Sequence, residues 1–433
     1  MKTKIFDLTS QSVGVGKRDE KIVFLPRTVI GDEVEYKIIK EKKNYIIGEM
    51  TSIVTQSKYR VLPLCDKFYV CGGCDLLHLD EEMEQEVKEN IVVNVLKKDF
   101  DLSKTLISKN TKSYSFSRYR NKVTFHCKLK KDKLIFGYYG KKTNDLVEIS
   151  SCVLADDLFF DVAMDFVTKL NSVMNLKELG LVKDIVIRKN SQNDILLGVI
   201  LKSMDNRFIS KLEKLDFEKI KTLVVNVKDM KNKGVLDDKL LLVKGDGFIT
   251  ESICNNTFDI NLFSFFQVNK EQTENLYDLI GDFLGESKCV VDGYCGVGTI
   301  AFSLARTDSY EKIIGVEIVK SAVLSANKTL ENSKYKNLEF IHGKFENEIS
   351  KILNENGEVS IVLDPPRKGC DSKVIEKIVD ENVEKVVYVS CDISGFVKDM
   401  KLLKNHYEIS KLSFVNMFPR TKDIETIVLL TKI

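Results

Sequence analysis

The chain has 433 residues, of which 43% are hydrophobic and 30% are charged, and its formal net charge is +2. At about 150 residues per domain this length predicts about three domains, and the composition excludes disordered, collagen-like and linker proteins. No apolar stretch approaches the roughly 18 residues that a membrane helix needs, and the first ten residues lack the apolar core of a signal peptide. We therefore expect a cytoplasmic protein that does not bind membranes.

The N-terminal residues 1–56 contain short β-rich segments separated by turns at Gly31-Asp32 and Lys43-Asn44. This spacing predicts a small β-barrel. Residues 81–99 carry apolar side chains at helical spacing with acids at the front, which predicts a helix. We assign that helix to the central domain, with packing against the C-terminal domain as an open possibility.

The remaining chain divides into two α/β regions. In residues 57–262, strand-like segments surround a helix near 155–171, which predicts a mixed α/β domain. In residues 263–433, strands and helices alternate, which specifies a parallel, doubly wound, Rossmann-like sheet with an antiparallel edge made by the last two strands. Within it the strands at 338–343 and 359–364 follow each other, and we predict no helix between them.

An apolar strand in the C-terminal region is followed by an acid and by glycines at 293, 296 and 298 before the next helix. Glycines let the backbone turn tightly and approach a ligand, and a helix N-terminus offers unpaired N–H groups. The glycine spacing departs from the dinucleotide fingerprint, whereas Glu317, at the end of the next strand, is placed to bind two ribose hydroxyls. These residues favour S-adenosylmethionine over NAD; a tight turn without a ligand is the alternative.

Two more strand ends carry candidate chemistry. Asp364 follows one strand in the segment DPPR, and Cys391 ends a later strand in the segment VSCD. Because doubly wound sheets bind ligands at the carboxyl ends of their strands, we expect both residues near the glycine turn. The alternatives are a solvated aspartate in a Pro-Pro loop and a buried structural cysteine.

Three cysteines, Cys65, Cys71 and Cys74, lie close together on a glycine-containing loop. Closely spaced thiolates can converge on one metal or cluster. A zinc site normally shows a fourth ligand in a second CxxC or HxxxH pair, and none of the four histidines is paired in that way. A redox CxxC and unligated thiols remain the alternatives.

Residues 97–142 contain fourteen Lys or Arg against three Asp, together with eight aromatic residues. Arg118, Arg120 and Lys122 alternate with Tyr119, and Tyr114 lies nearby. Cations that neutralise phosphates beside aromatic platforms are how proteins grip single-stranded RNA. The alternative is a solvated charged surface.

These motifs, in this order, resemble the RNA 5-methyluridine methyltransferase family, and specifically its iron–sulfur-containing bacterial members that methylate uracil C5 in 23S ribosomal RNA. The resemblance spans nearly the whole chain and includes an N-terminal barrel similar to a TRAM domain. The segments that carry it are PLCDKFYVCGGCDLLHL, EISSCVL, FFQVN, DGYCGVGT, LDPPRKG, VSCD and IETIVLL.

The resemblance implies a 4Fe-4S cluster, an S-adenosylmethionine pocket and two catalytic residues. Cys391 would be the nucleophile and Glu425 the general base. The cluster ligands would be Cys65, Cys71, Cys74 and Cys152, and the pocket would be lined by Gln267, Tyr294, Glu317 and Asp364. The partner implied is RNA, 23S ribosomal RNA in particular, and we expect a monomer without an obligate protein partner.

Three positions depart from the family pattern. Ile393 stands where relatives usually carry proline after the nucleophile, and Arg420 and Asp423 stand where histidines commonly precede the base.

The implied chemistry explains why a cysteine and a glutamate are needed. Uracil C5 is too weak a nucleophile to accept a methyl group unless a thiolate first adds at C6. A free thiol, with a pKa of about 8.5, needs a positive environment to ionise, and Glu425 in an apolar strand should have a raised pKa that suits a base. The alternatives are a tRNA uridine-C5 methyltransferase, an amino-methylating enzyme that uses the DPPR segment, and a non-catalytic iron–sulfur RNA-binding protein.

Overall fold

The computed structural model describes residues 1–108, 115–227 and 240–433. The N-terminal strands form one six-stranded sheet in the order β1-β5-β6-β4-β3-β2. Apolar side chains alternate with polar ones along its strands, so one face buries a small core around Leu25, Val34 and Tyr36. The strands are β1 (Lys2–Lys4), β2 (Asp7–Leu8), β3 (Val13–Arg18), β4 (Lys21–Pro26), β5 (Glu33–Glu41) and β6 (Tyr45–Thr55).

Helix α1 (Glu81–Leu96) follows the cysteine loop and begins at Asp80, whose side chain accepts hydrogen bonds from the backbone N–H groups of Glu82 and Met83. The predicted helix is therefore present and ends three residues before its predicted end. Its residues Val92, Val93 and Leu96 belong to the apolar core of the C-terminal sheet. After it comes the short strand β7 (Leu106–Ser108), which becomes an edge strand of that sheet.

The central region is built on a seven-stranded sheet in the order β10-β9-β8-β11-β12-β13-β14. Among the residues that the structure describes, β12 and β13 pair in parallel and the other neighbouring strands of this sheet pair antiparallel. The separate hairpin β15–β16 packs its apolar face into the core of the C-terminal region. The elements are β8 (Lys122–Lys130), β9 (Lys133–Tyr139), β10 (Leu146–Glu148), α2 (Asp157–Val173), α3 (Leu176–Leu179), β11 (Val182–Lys189), β12 (Ile195–Leu201), α4 (Asn206–Leu212), β13 (Thr222–Val227), β14 (Leu241–Lys244), β15 (Phe248–Ile253) and β16 (Asn256–Asn261).

The C-terminal sheet has eight strands in the order β19-β18-β17-β20-β21-β23-β22-β7. Strands β17 to β21 are mutually parallel, and β23 pairs antiparallel with β21 and β22, which confirms the predicted doubly wound sheet and the antiparallel pairing of the last two strands. These two strands do not form the edge as predicted, because β7 pairs with β22 in parallel outside them. The elements are α5 (Lys270–Leu284), β17 (Cys289–Asp292), α6 (Thr299–Ala305), β18 (Lys312–Glu317), α7 (Lys320–Glu331), β19 (Leu338–His342), α8 (Phe345–Asn356), β20 (Val359–Leu363), α9 (Ser372–Asp380), β21 (Lys385–Ser390), α10 (Ile393–Leu403), β22 (Tyr407–Val415) and β23 (Glu425–Lys432).

Another prediction about this sheet was wrong. Helix α8 lies between β19 and β20, where we predicted no helix. It buries Phe345, Ile349 and Ile352 against the sheet. Strands β19 and β20 run parallel at separate positions of one sheet, and parallel strands need such a crossover. None of the helices in the described ranges is long and apolar enough to cross a membrane.

Candidate active site

The glycine turn lies between β17 and α6, at the carboxyl edge of the sheet. Gly296 and Gly298 have φ angles of 56° and 86°, a region that residues with a Cβ atom rarely adopt. The Gly296 N–H donates to Glu317 Oε2 over 3.1 Å, and the other carboxylate oxygen of Glu317 accepts the Val319 N–H at 2.7 Å. A Cβ atom at Gly296 would meet nothing within 4 Å, so the turn faces open space beside a fixed carboxylate.

Two more carboxyl groups adjoin this turn. Asp292 ends β17 and is fully buried, and neither of its oxygens has a hydrogen-bond partner within the described part of the chain. Burial, and then the neighbouring Asp364, raise the pKa of Asp292 to about 8. Desolvation raises the pKa of Asp364, directly after β20, to about 7. The partnerless oxygens of Asp292 suit a ligand that carries positive charge or hydrogen-bond donors.

Cys391 and Glu425 lie on adjacent strands at the same edge. Cys391 follows β21, Glu425 opens β23, and the neighbouring residues Ser390 and Thr426 are paired across the two strands. Glu425 is 2% exposed, whereas Cys391 is partly accessible. Burial raises the pKa of Glu425 well above its ordinary value, and Asp364 raises it further. The structure therefore brings a thiol and two carboxyl groups together.

This group includes a cation, Arg367, that the sequence patterns did not predict as a site residue. Burial raises the pKa of Cys391 to about 12, and Glu425 adds to this rise, whereas the Arg367 guanidinium lowers it. Arg367 Nη2 pairs with Asp423 Oδ2 at 3.1 Å. Arg367 is the last residue of the segment DPPR, three positions after Asp364, so an arginine close to a strand-end aspartate was the available signal.

Two further residues of the predicted pocket, Gln267 and Tyr294, are each held by a neighbouring residue. Gln267 is 9% exposed, and its backbone carbonyl accepts a hydrogen bond from Asn121 Nδ2 at 2.9 Å. Tyr294, in the glycine turn, packs edge-on against Phe345 with ring centroids 6.4 Å apart. Its pKa is raised by burial and then by the nearby Cys370 thiol.

The four cysteines of the predicted cluster line one cavity of about 1270 Å³ between the N-terminal sheet, the cysteine loop and strands β8 and β9. Burial raises the pKa of Cys74, and the nearby Cys152, Cys71 and Cys65 thiols add to this rise. Arg120 opposes the rise. Within the described residues, however, no group of three or more His, Cys, Asp or Glu side chains stands at metal-binding geometry.

The basic segment does not form one exposed surface. Arg118 is exposed and pairs with Asp157 at 2.7 Å. Arg120 lies beside Cys152 in the cavity, and burial followed by Arg188 lowers the pKa of Lys122 to about 8. Tyr114 lies outside the described residues. The three cations thus extend from the surface into the cavity rather than along one face.

A doubly wound sheet with a glycine turn and strand-end carboxylates places this protein in the class of Rossmann-like proteins, which bind nucleotide-type ligands at this edge. Comparison with known proteins narrows that class. The family described as tRNA (uracil-5-)-methyltransferase matches residues 83–433. The chain belongs to this family, which confirms the predicted RNA 5-methyluridine methyltransferase membership and, at family level, the use of S-adenosylmethionine on an RNA substrate.

Relatives match over almost the full chain. An uncharacterized RNA methyltransferase of Staphylococcus aureus is 31% identical in an alignment that covers 98% of this chain and 96% of the relative. Another, from Fusobacterium nucleatum, is 32% identical in an alignment that covers 99% of this chain and 95% of the relative. The Pyrococcus abyssi tRNA (uracil-54, C5)-methyltransferase in complex with S-adenosyl-L-homocysteine has a TM-score of 0.75, 22% identity and 100% coverage of both chains. This last likeness shows the fold.

Proposed function

We propose that this protein methylates C5 of uridine in 23S ribosomal RNA, with Cys391 as nucleophile and Glu425 as general base. The observation that carries the proposal is the placement of Cys391 and Glu425 at the ends of paired strands beside Asp364. A thiol opposite a buried carboxyl group suits a reaction that adds sulfur to one ring carbon and removes a proton from the next.

In the proposed reaction the Cys391 thiolate bonds to C6, and the C5=C6 electron pair moves toward C5 as an enolate. That pair would form the bond to the methyl group that S-adenosylmethionine supplies, whose C–S bond breaks with its electrons on sulfur, so that S-adenosylhomocysteine leaves. Glu425 then takes the C5 proton, the C5–H pair restores the C5=C6 bond, and the C6–S pair returns to Cys391.

The pocket proposed for S-adenosylmethionine is lined by Gln267, Tyr294, Glu317 and Asp364. The residues fit this ligand: Glu317 is fixed at the end of β18 and faces the open space at Gly296, and the partnerless carboxyl oxygens of Asp292 lie at the same turn. Two carboxylates at adjacent strand ends suit ribose hydroxyls and a cationic amino group.

The catalytic roles predict opposite outcomes for two substitutions. Cys391→Ala removes the attacking sulfur, so neither 5-methyluridine nor a covalent RNA adduct should form. Glu425→Gln permits attack and methyl transfer but removes the proton acceptor, so a methylated adduct should accumulate. Denaturing gels with labelled RNA and labelled cofactor measure both, with 23S ribosomal RNA and tRNA fragments offered separately.

We expect the adduct with the 23S fragment. An adduct with tRNA alone would replace the proposed substrate by tRNA, the substrate named for the fold relative. Full turnover by Glu425→Gln would remove Glu425 from the mechanism, and residual 5-methyluridine in Cys391→Ala would remove Cys391.

We propose that the N-terminal sheet is a TRAM-like barrel that contacts RNA. We further propose that Cys65, Cys71, Cys74 and Cys152 bind a 4Fe-4S cluster. The four thiols line one cavity and influence one another, and Arg120 places positive charge beside a site where four thiolates would be negative. The donor set therefore suits an iron–sulfur cluster.

Metal analysis tests the cluster. Anaerobically purified protein should contain about four iron atoms per chain, because four thiolates suit a cubane cluster. Cys71→Ser should lower that content, whereas Cys127→Ser, at a buried cysteine of β8, should keep it. Stoichiometric zinc without iron would exclude the cluster.

A further inference from the structure

The loop 416–424 joins β22 to β23 and ends directly before Glu425. Glu425 is the first residue of β23 and is paired with Val415, the last residue of β22. Strand pairing therefore sets the backbone position of Glu425, and the loop that immediately precedes it influences how its carboxyl group is oriented.

Arg420, in the middle of the loop, has an unusual backbone. Its φ angle is 68°, which residues other than glycine rarely adopt. The Arg420 N–H donates to Glu84 Oε1 at 2.8 Å, and its carbonyl accepts the N–H groups of Asp75 and Leu76, each at 3.0 Å. A strained residue that persists in this way is held by its surroundings and is typical of functional segments.

The Arg420 side chain is held equally firmly. Its Nη1 donates to Leu79 O at 3.0 Å and lies 3.3 Å from Glu84 Oε2, and its Nη2 pairs with Glu81. The guanidinium also lies over the Phe116 ring, 4.9 Å from the centroid. Helix α1, the cysteine loop and the basic segment all contact this one residue.

A buried lysine completes the arrangement. Lys88 Nζ donates to Glu84 Oε1 and Asn416 Oδ1, both at 2.8 Å, and to Phe418 O at 3.2 Å. The Glu84 and Lys88 side chains are fully buried. We call Glu84, Lys88, Asn416 and Arg420 the loop clamp.

Buried ion pairs contribute little net stability, because desolvation offsets their attraction, but they can fix a single geometry. The loop clamp places three buried charges, those of Glu84, Lys88 and Arg420, at a loop that Glu425 directly follows. None of its contacts is needed to close the β22–β23 hairpin, which the strand pairing already joins.

We propose that Glu84, Lys88 and Arg420 are positioning residues for Glu425, and that they hold loop 416–424 so that the Glu425 carboxylate reaches the C5 proton in the last step. This inference rests on the proposed function. It predicts that loosening the clamp slows proton removal and release of Cys391, and leaves the addition of sulfur and methyl transfer nearly unchanged.

The test variant is Glu84→Gln, which keeps the side-chain shape and removes the charge that faces Arg420 and Lys88. In single-turnover experiments with labelled 23S fragment, resolution of the methylated adduct should slow about a hundredfold, because a small misplacement of a reacting group has an effect of that size. Methyl transfer to RNA should change less than threefold. The adduct should therefore accumulate, as it should in Glu425→Gln.

Asp165→Asn, at an exposed carboxylate of α2, is the matched control and should behave as the unmodified protein. Arg420→Gly is the second variant. Glycine adopts the φ angle of this position without strain, so the variant keeps the backbone of the loop and removes only the side chain that takes part in the clamp. Resolution at the unmodified rate in folded Glu84→Gln or Arg420→Gly would overturn the inference, as would an equal slowing of methyl transfer and resolution. If Glu425→Gln itself forms no adduct, the proposed function fails instead.

Discussion

The partly exposed Cys391 lies between opposing electrostatic influences. Burial and Glu425 raise the pKa of its thiol to about 12, whereas Arg367 lowers that pKa. Asp423 pairs with Arg367 and reduces the positive charge that the thiol experiences. The Arg367–Asp423 pair therefore sets how much thiolate is present near neutral pH.

This arrangement predicts opposite effects for two substitutions. Arg367→Met should raise the pKa of the Cys391 thiol and slow its alkylation by iodoacetamide, whereas Asp423→Asn should free Arg367 and accelerate it. A change of one pKa unit changes the thiolate fraction about tenfold, which is the size of effect we expect. Mass spectrometry of the Cys391 peptide over a series of pH values measures the rate.

Arg118→Met removes an exposed arginine that pairs with Asp157 and serves as the control, for which we expect no change. If Arg367→Met and Asp423→Asn shift the alkylation rate in the same direction, the pair does not tune the thiol.

Residue patterns in the sequence predicted the strand-end groups but not their partners. Asp364, Cys391 and Glu317 each end or follow an apolar strand, and parallel strands bring such residues to one edge. Glu84 and Lys88, in contrast, look like the solvated face of an acidic helix in the sequence. Their burial depends on Arg420 and Asn416, more than 300 positions away in the chain, and no local pattern encodes that contact.

At the scale of elements, helix α8 was missed although its signal was present. Phe345, Ile349 and Ile352 have helical spacing between Gly343 and Gly357, but charged residues separate them and the segment is short. The hairpin β15–β16 was missed for a different reason, since its polar alternating strands become half-buried only on contact with the C-terminal core.

The glycine turn predicts a contrast between two substitutions. A Cβ atom at Gly298 would lie 2.5 Å from Phe340 Cζ, whereas a Cβ atom at Gly296 would meet nothing within 4 Å. Both positions have positive φ, so alanine at either should cost about 1–2 kcal/mol, and the clash at Gly298 should add about 1–3 kcal/mol. Urea unfolding should therefore show the larger loss for Gly298→Ala.

Binding of S-adenosylmethionine should separate these variants further. The methyl group of Gly296→Ala enters the space beside Glu317. This variant should therefore bind S-adenosylmethionine more weakly, although it loses less folding stability than Gly298→Ala. Titration calorimetry measures this, and the outcome that contradicts the assignment is unchanged affinity in Gly296→Ala.

At the scale of the whole molecule, the near-neutral net charge hides a separation of charge. Four basic residues of the 97–142 segment, Arg120, Lys122, Lys141 and Lys142, line the cysteine cavity, while carboxyl groups with raised pKa values gather at the C-terminal sheet edge. Loop 416–424 is one place where the two regions meet, because the cysteine loop, α1 and the basic segment all bond to it. Composition alone could not predict this connection.

The buried carboxyl groups predict how stability depends on pH. The pKa of Asp292 is raised from 3.8 to about 8, so between these values the folded protein holds a proton that the unfolded chain has released. The free energy of unfolding should therefore fall as pH rises through this window, by at most about 1.4 kcal/mol per pH unit for this group. Asp292→Asn cannot titrate and should lose less stability between pH 5 and 8.

Urea unfolding followed by circular dichroism is the suitable measurement, since the chain has no tryptophan. From pH 5 to 8 the free energy of unfolding should fall more steeply for the unmodified protein than for Asp292→Asn. Above about pH 9 the two curves should run parallel, because the carboxyl group of Asp292 is then ionised in both the folded and the unfolded state. Asp165→Asn, at an exposed carboxylate, should follow the unmodified protein throughout. Parallel curves for Asp292→Asn across the whole range would mean that Asp292 is ionised in the folded protein and that a bound or neighbouring cation compensates its burial.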